Sequence, residues 1–99
     1  AVMTSMEKKL TENRLTEVKA ALSAKYRTVD LGGEKFFVAT DGAFFRVGVF
    51  PGAMALVIEY ADTEQEARQN ALEDGDRFYL DETTLDEMLR LMIAEIERC

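Results

Sequence analysis

Residues 27–60 read RTVDLGGEKFFVATDGAFFRVGVFPGAMALVIEY, and this stretch decides the fold. Apolar side chains recur in it at every second position, the period of a strand with one buried face. Three dipeptides interrupt the pattern at intervals that suit consecutive hairpins: Gly32-Gly33, Asp41-Gly42 and Pro51-Gly52. The first two tolerate the positive φ of a two-residue hairpin loop, and the third suits a type II turn inside a looser connection. A four-stranded antiparallel meander is therefore expected. With each turn fixing register, Val29 faces Phe36, Val38 faces Phe45, Phe36 faces Val47, and Val47 faces Leu56. That register collects Val29, Leu31, Phe36, Val38, Phe45, Val47, Val49, Met54, Leu56, Ile58 and Tyr60 on a core face. The opposite face receives Phe37, Phe44, Arg46, Phe50 and Val57 among polar neighbours, too aromatic a mixture for an ordinary solvated surface.

Outside the meander the apolar period is that of a helix. Leu10, Leu15, Val18, Leu22 and Tyr26 define a first helix, with Thr11 as N-cap or, for an earlier start, Thr4 and Glu7 as a capping box. After Tyr60, a second helix is expected from Thr63 to about Asp74, capped by Asp62 and Gln65 and stopped by Gly75 in the left-handed position. Phe78, Tyr79 and Leu80 then form a short extended connection. Thr84 with Glu87 opens a last helix, whose stripe of Leu85, Met88, Leu89, Met92, Ile93 and Ile96 should cover the core face. The fold class is thus α+β: an N-terminal helix, a four-stranded antiparallel meander, and two C-terminal helices packed on one sheet face. The 99 residues, 47% of them hydrophobic, suit a single domain over 1–99.

Composition excludes much chemistry. The chain has no histidine, which removes the usual general base, the commonest transition-metal ligand and the switch near neutral pH. Its one cysteine is Cys99, so neither an intrachain disulfide nor a thiolate metal cluster can form. The glycines match no phosphate-binding motif. No cofactor is expected, and the protein is read as a non-enzyme. No apolar run approaches the roughly 18 residues of a membrane span. The first residues place charge after a weak apolar start, the reverse of a secretory signal, so a cytoplasmic location is expected.

Charge is unevenly spread. Residues 1–49 hold eight Lys/Arg and six Asp/Glu, while residues 50–99 hold four and thirteen, which places the net −7 in the second half. Such a field repels phosphate backbones and favours basic partners. The basic residues of the first helix alternate with Glu7, Glu12 and Glu17 as on a solvent face, so nucleic acid is not an expected partner. The acidic run Glu73, Asp74, Asp76, Asp81, Glu82, Asp86 and Glu87 lacks the EF-hand pattern: with Gly75 as loop glycine, Leu72 falls on a ligand position and Asp81 on the terminal one.

The reading that follows is a non-enzymatic protein-binding module of the size and charge of small acidic inhibitors or immunity-type proteins. Phe37, Phe44, Arg46, Phe50 and Val57 would supply apolar contact with a central arginine, and Glu73, Asp74 and Asp76 would steer a basic protein partner. An alternative buries the same sheet face in a homodimer or larger chaperone-like or structural assembly. A small metal-dependent enzyme using the acidic loop is the remaining alternative.

Overall fold

The computed structural model describes residues 3–98; Cys99 lies outside them. Helix α1 (Ser5–Lys25) leads into strands β1 (Arg27–Leu31), β2 (Glu34–Val38), β3 (Phe44–Val49) and β4 (Ala55–Ala61), followed by a short helix α2 (Glu64–Arg68), strand β5 (Glu73–Tyr79) and helix α3 (Leu85–Arg98). The five strands form one antiparallel sheet in chain order, so the class is α+β with an antiparallel meander of five strands rather than four.

Thr4 caps α1: its hydroxyl accepts from the Glu7 amide while the Glu7 carboxylate accepts from the Thr4 amide, the earlier of the two starts that the sequence allows. Thr11 is instead buried within the helix, its hydroxyl donating to the Glu7 carbonyl at 2.8 Å. The first hairpin has the expected register, Val29 opposite Phe36, around Gly32 and Gly33 with φ of 60° and 83°. The third has the expected type II turn: Ala53 N donates to the Phe50 carbonyl across Pro51-Gly52, with φ of 80° at Gly52. Its loop is two residues longer than expected, so Val47 faces Ile58 rather than Leu56, and the even shift leaves both strands facing as they should.

The middle hairpin departs by one residue. Ala39 N donates to the Ala43 carbonyl and Gly42 N to the Ala39 carbonyl, enclosing a three-residue loop, Thr40-Asp41-Gly42, with φ of 91° at Gly42. This is the type I turn closed by a left-handed glycine, not the two-residue loop that Asp-Gly also allows. Val38 consequently faces Phe44 and Phe37 faces Phe45. The odd shift exchanges the two faces of β1 and β2 relative to β3 and β4.

Two apolar layers result. On one face α1 and α3 cover Phe37, Phe45, Val47, Leu56, Ile58 and Phe78 with Val18, Leu22, Met88, Met92 and Ile96. On the other, Ala67 of α2 closes a smaller cluster of Leu31, Phe36 and Ala61, with Val29, Phe44 and Leu72 at its margin. The two C-terminal helices therefore lie on opposite faces, which corrects their expected placement on one.

The expected helix over 63–74 is likewise corrected. Its N-cap is Thr63, not Asp62, and it stops after Arg68. Asn70 takes the left-handed conformation at φ 57°, and amides 70 and 71 donate back to the carbonyls of Ala67 and Glu66. That pair of bonds is a Schellman stop with asparagine in the place usually held by glycine. Released from the helix, residues 73–79 pair with β4.

Candidate functional site

The sheet face proposed from sequence is not assembled as a unit. Phe37 is fully buried in the main core, its ring stacked on Phe45 at 5.4 Å between centroids. Phe44 lies on the opposite face, half-buried at the edge of the α2 cluster. Arg46 is committed within the molecule: Nε meets the Glu59 carboxylate at 3.0 Å, one terminal nitrogen donates to Asn70 Oδ1 at 2.8 Å, and the guanidinium lies 5.7 Å from the Phe36 ring centroid. It ties β3 and β4 to the end of α2. Val57 is buried on the same face, opposite Gly48 on β3 and Arg77 on β5. Phe50 is half-buried under the Arg77 guanidinium, 4.0 Å from the ring centroid.

The acidic residues gain a setting that the sequence reading lacked. Glu73, Asp74 and Asp76 are exposed on β5, which pairs with β4 on one side and ends the sheet on the other. Leu80 N donates to the Met54 carbonyl, so by antiparallel alternation Phe78 also bonds toward β4, while the backbone groups of Arg77 and Tyr79 point away. The Tyr79 carbonyl accepts from the Thr83 amide and hydroxyl. The amides of Arg77 and Tyr79 therefore lie on the side of β5 turned away from β4. They open onto a groove of about 490 Å³ between β5 and α3, where Leu91 and Ala94 form an apolar wall and Asp76 and Glu82 bring carboxylates.

A β-bulge shapes this edge. Val57 pairs with Arg77 but Glu59 pairs with Asp74, so Gly75 and Asp76 together oppose Ile58. The Glu95 carboxylate, from α3, accepts from the displaced Asp76 amide at 2.8 Å. The Tyr60 hydroxyl also bonds to Glu95, whose carboxyl is pushed above its ordinary value chiefly by burial. A Cβ on Gly75 would stand 2.7 Å from Glu95 Oε1, 2.7 Å from a Tyr60 ring carbon and 3.1 Å from the Ile58 carbonyl oxygen. The glycine is thus required by close approach, not by a left-handed turn. Sequence reasoning passed over Glu95, although a carboxylate spaced with Met88 and Met92 on the apolar stripe of α3 is itself a signal.

Among the described residues, no group of three or more Asp and Glu side chains is placed to hold a metal ion, and no helix is long and apolar enough to cross a membrane. No family model matches the chain, and no curated protein or solved structure shows significant similarity to it.

Proposed function

We propose that this protein is a non-enzymatic binding module that engages a basic protein partner through the acidic edge formed by β5. One observation carries the reading. Residues Glu73, Asp74 and Asp76 are exposed along a terminal strand, with Asp76 at the rim of an open groove, not along a solvated helix. Carboxylates so placed raise the local concentration of cationic partners and speed encounter. Phe50 and Arg77 continue the surface around the end of the sheet, whereas Phe37, Phe44, Arg46 and Val57 contribute to packing.

The test is calorimetric titration of the protein with poly-lysine and with poly-glutamate at low and high salt. Saturable binding of the cationic polymer alone, weakened by salt and by the double substitution Asp74→Lys/Asp76→Lys, is expected. Equal behaviour toward both polymers, or indifference to the charge reversal, overturns the reading.

A further inference from the structure

The shape of the edge specifies how the partner is held, an inference that rests on the function just proposed. We propose that the groove between β5 and α3 takes an extended basic segment of the partner as a sixth strand, bonded through the outward amides of Arg77 and Tyr79. Those amides sit two residues apart on the same side of β5, the repeat at which an added strand presents carbonyls. Leu91 and Ala94 wall the groove with short apolar surface, room for a small or β-branched side chain on the inward positions.

The charge of the occupant follows from what is already engaged. Of the two arginines at the groove, Arg77 holds its guanidinium 4.0 Å from the Phe50 ring centroid, which leaves Arg98 beside the groove carboxylates. The exposed carboxylates of Asp76 and Glu82, together with Glu73 and Asp74 farther along β5, outnumber these two cations, and lysine or arginine on the incoming strand answers them. A second copy is a poor occupant, since β5 laid against β5 brings Asp74 and Asp76 of both chains together. The opposite edge offers no equivalent: on β1, Arg27 is balanced by Asp30, which itself stands opposite Lys35 of β2, so that edge carries no acidic excess.

The test uses the wild-type protein and two blocked peptides of alternating lysine and valine, as long as β5, one of them N-methylated throughout. Methylation keeps charge and side chains but removes the backbone donors and obstructs strand pairing. The plain peptide is expected to bind at least about tenfold more tightly than its methylated analogue and to shift the Arg77 and Tyr79 amide resonances. Ala94→Arg, which fills the groove without touching the core, is expected to weaken the plain peptide by a similar factor. Equal binding of both peptides overturns strand addition while leaving electrostatic recognition at the edge intact. If poly-lysine also fails to bind, the proposed function falls with it. Resonance shifts on β1 instead of β5 overturn the assignment of the edge.

Discussion

Gly75 and Glu95 show how much of β5 depends on single side chains. Adding one methyl at Gly75 places a carbon 3.1 Å from a fixed backbone oxygen and closer still to Glu95 and Tyr60. Gly75→Ala is therefore expected to cost about 1–3 kcal/mol, read from chemical denaturation, because the bulge cannot relax without losing its register. Glu95→Ala leaves the Asp76 amide without its acceptor and is expected to cost about 1–3 kcal/mol. Glu95→Gln keeps an acceptor oxygen and should be much milder. The two substitutions also differ from wild type in pH dependence. Burial raises the Glu95 carboxyl above 4.5, so the folded chain holds that proton more tightly than the unfolded chain. Stability is then expected to fall as pH rises from about 4.5 through the raised folded value, and Glu95→Gln should flatten that part of the profile. Tyr26 behaves likewise at the alkaline end. Burial, with the hydrogen bond to Glu97, lifts its hydroxyl from 10.0 to about 12. Stability should decline across that interval, and less steeply in Tyr26→Phe.

At the scale of elements, the sequence was legible where turn chemistry allowed one solution. Gly32-Gly33 permits a two-residue loop with two positive φ values, and Pro51-Gly52 a type II turn; both are present. Asp41-Gly42 permits two solutions, because a glycine after aspartate serves a two-residue loop or the left-handed close of a three-residue one. The alternation of β2 cannot choose between them, since Phe36 and Phe37 are both large and both end fully buried, one on each face. The missed strand has a related cause. Residues 63–74 carry few apolar side chains, so periodicity is weak there, and the stop comes from Asn70 adopting a conformation more often given to glycine. Asn70→Ala is expected to destabilise by about 1–2 kcal/mol, because alanine is strained at φ 57° and loses the bond to Arg46. Asn70→Gly should recover the backbone part of that loss but not the Arg46 contact. Thermal unfolding of the pair separates the two contributions.

At the scale of the whole molecule, the count of charges carries the expectation of a basic partner, and the β5 edge is the place proposed for it. The acidic half supplies β5, the loop after it and the start of α3, so a compositional asymmetry becomes one end of the sheet. The aromatic face expected to contact a protein partner or, in the alternative, a second copy is divided between two internal clusters, with Phe37 in one and Phe44 in the other. The protein is accordingly expected to sediment as a monomer at micromolar concentration, and a dimer would show that the surface around Phe50 and Arg77 suffices for assembly. The central point remains the identity of residues 73–79 as an edge strand with outward amides. Amide hydrogen exchange followed residue by residue addresses it most directly. Phe78, Leu80 and Asp76, bonded to β4 or to Glu95, should be protected, while Arg77 and Tyr79 exchange at rates close to those of an open chain. Uniform protection from Arg77 to Leu80, or the continuous protection of a helix running from Thr63 to Asp74, would contradict the edge on which the function is placed.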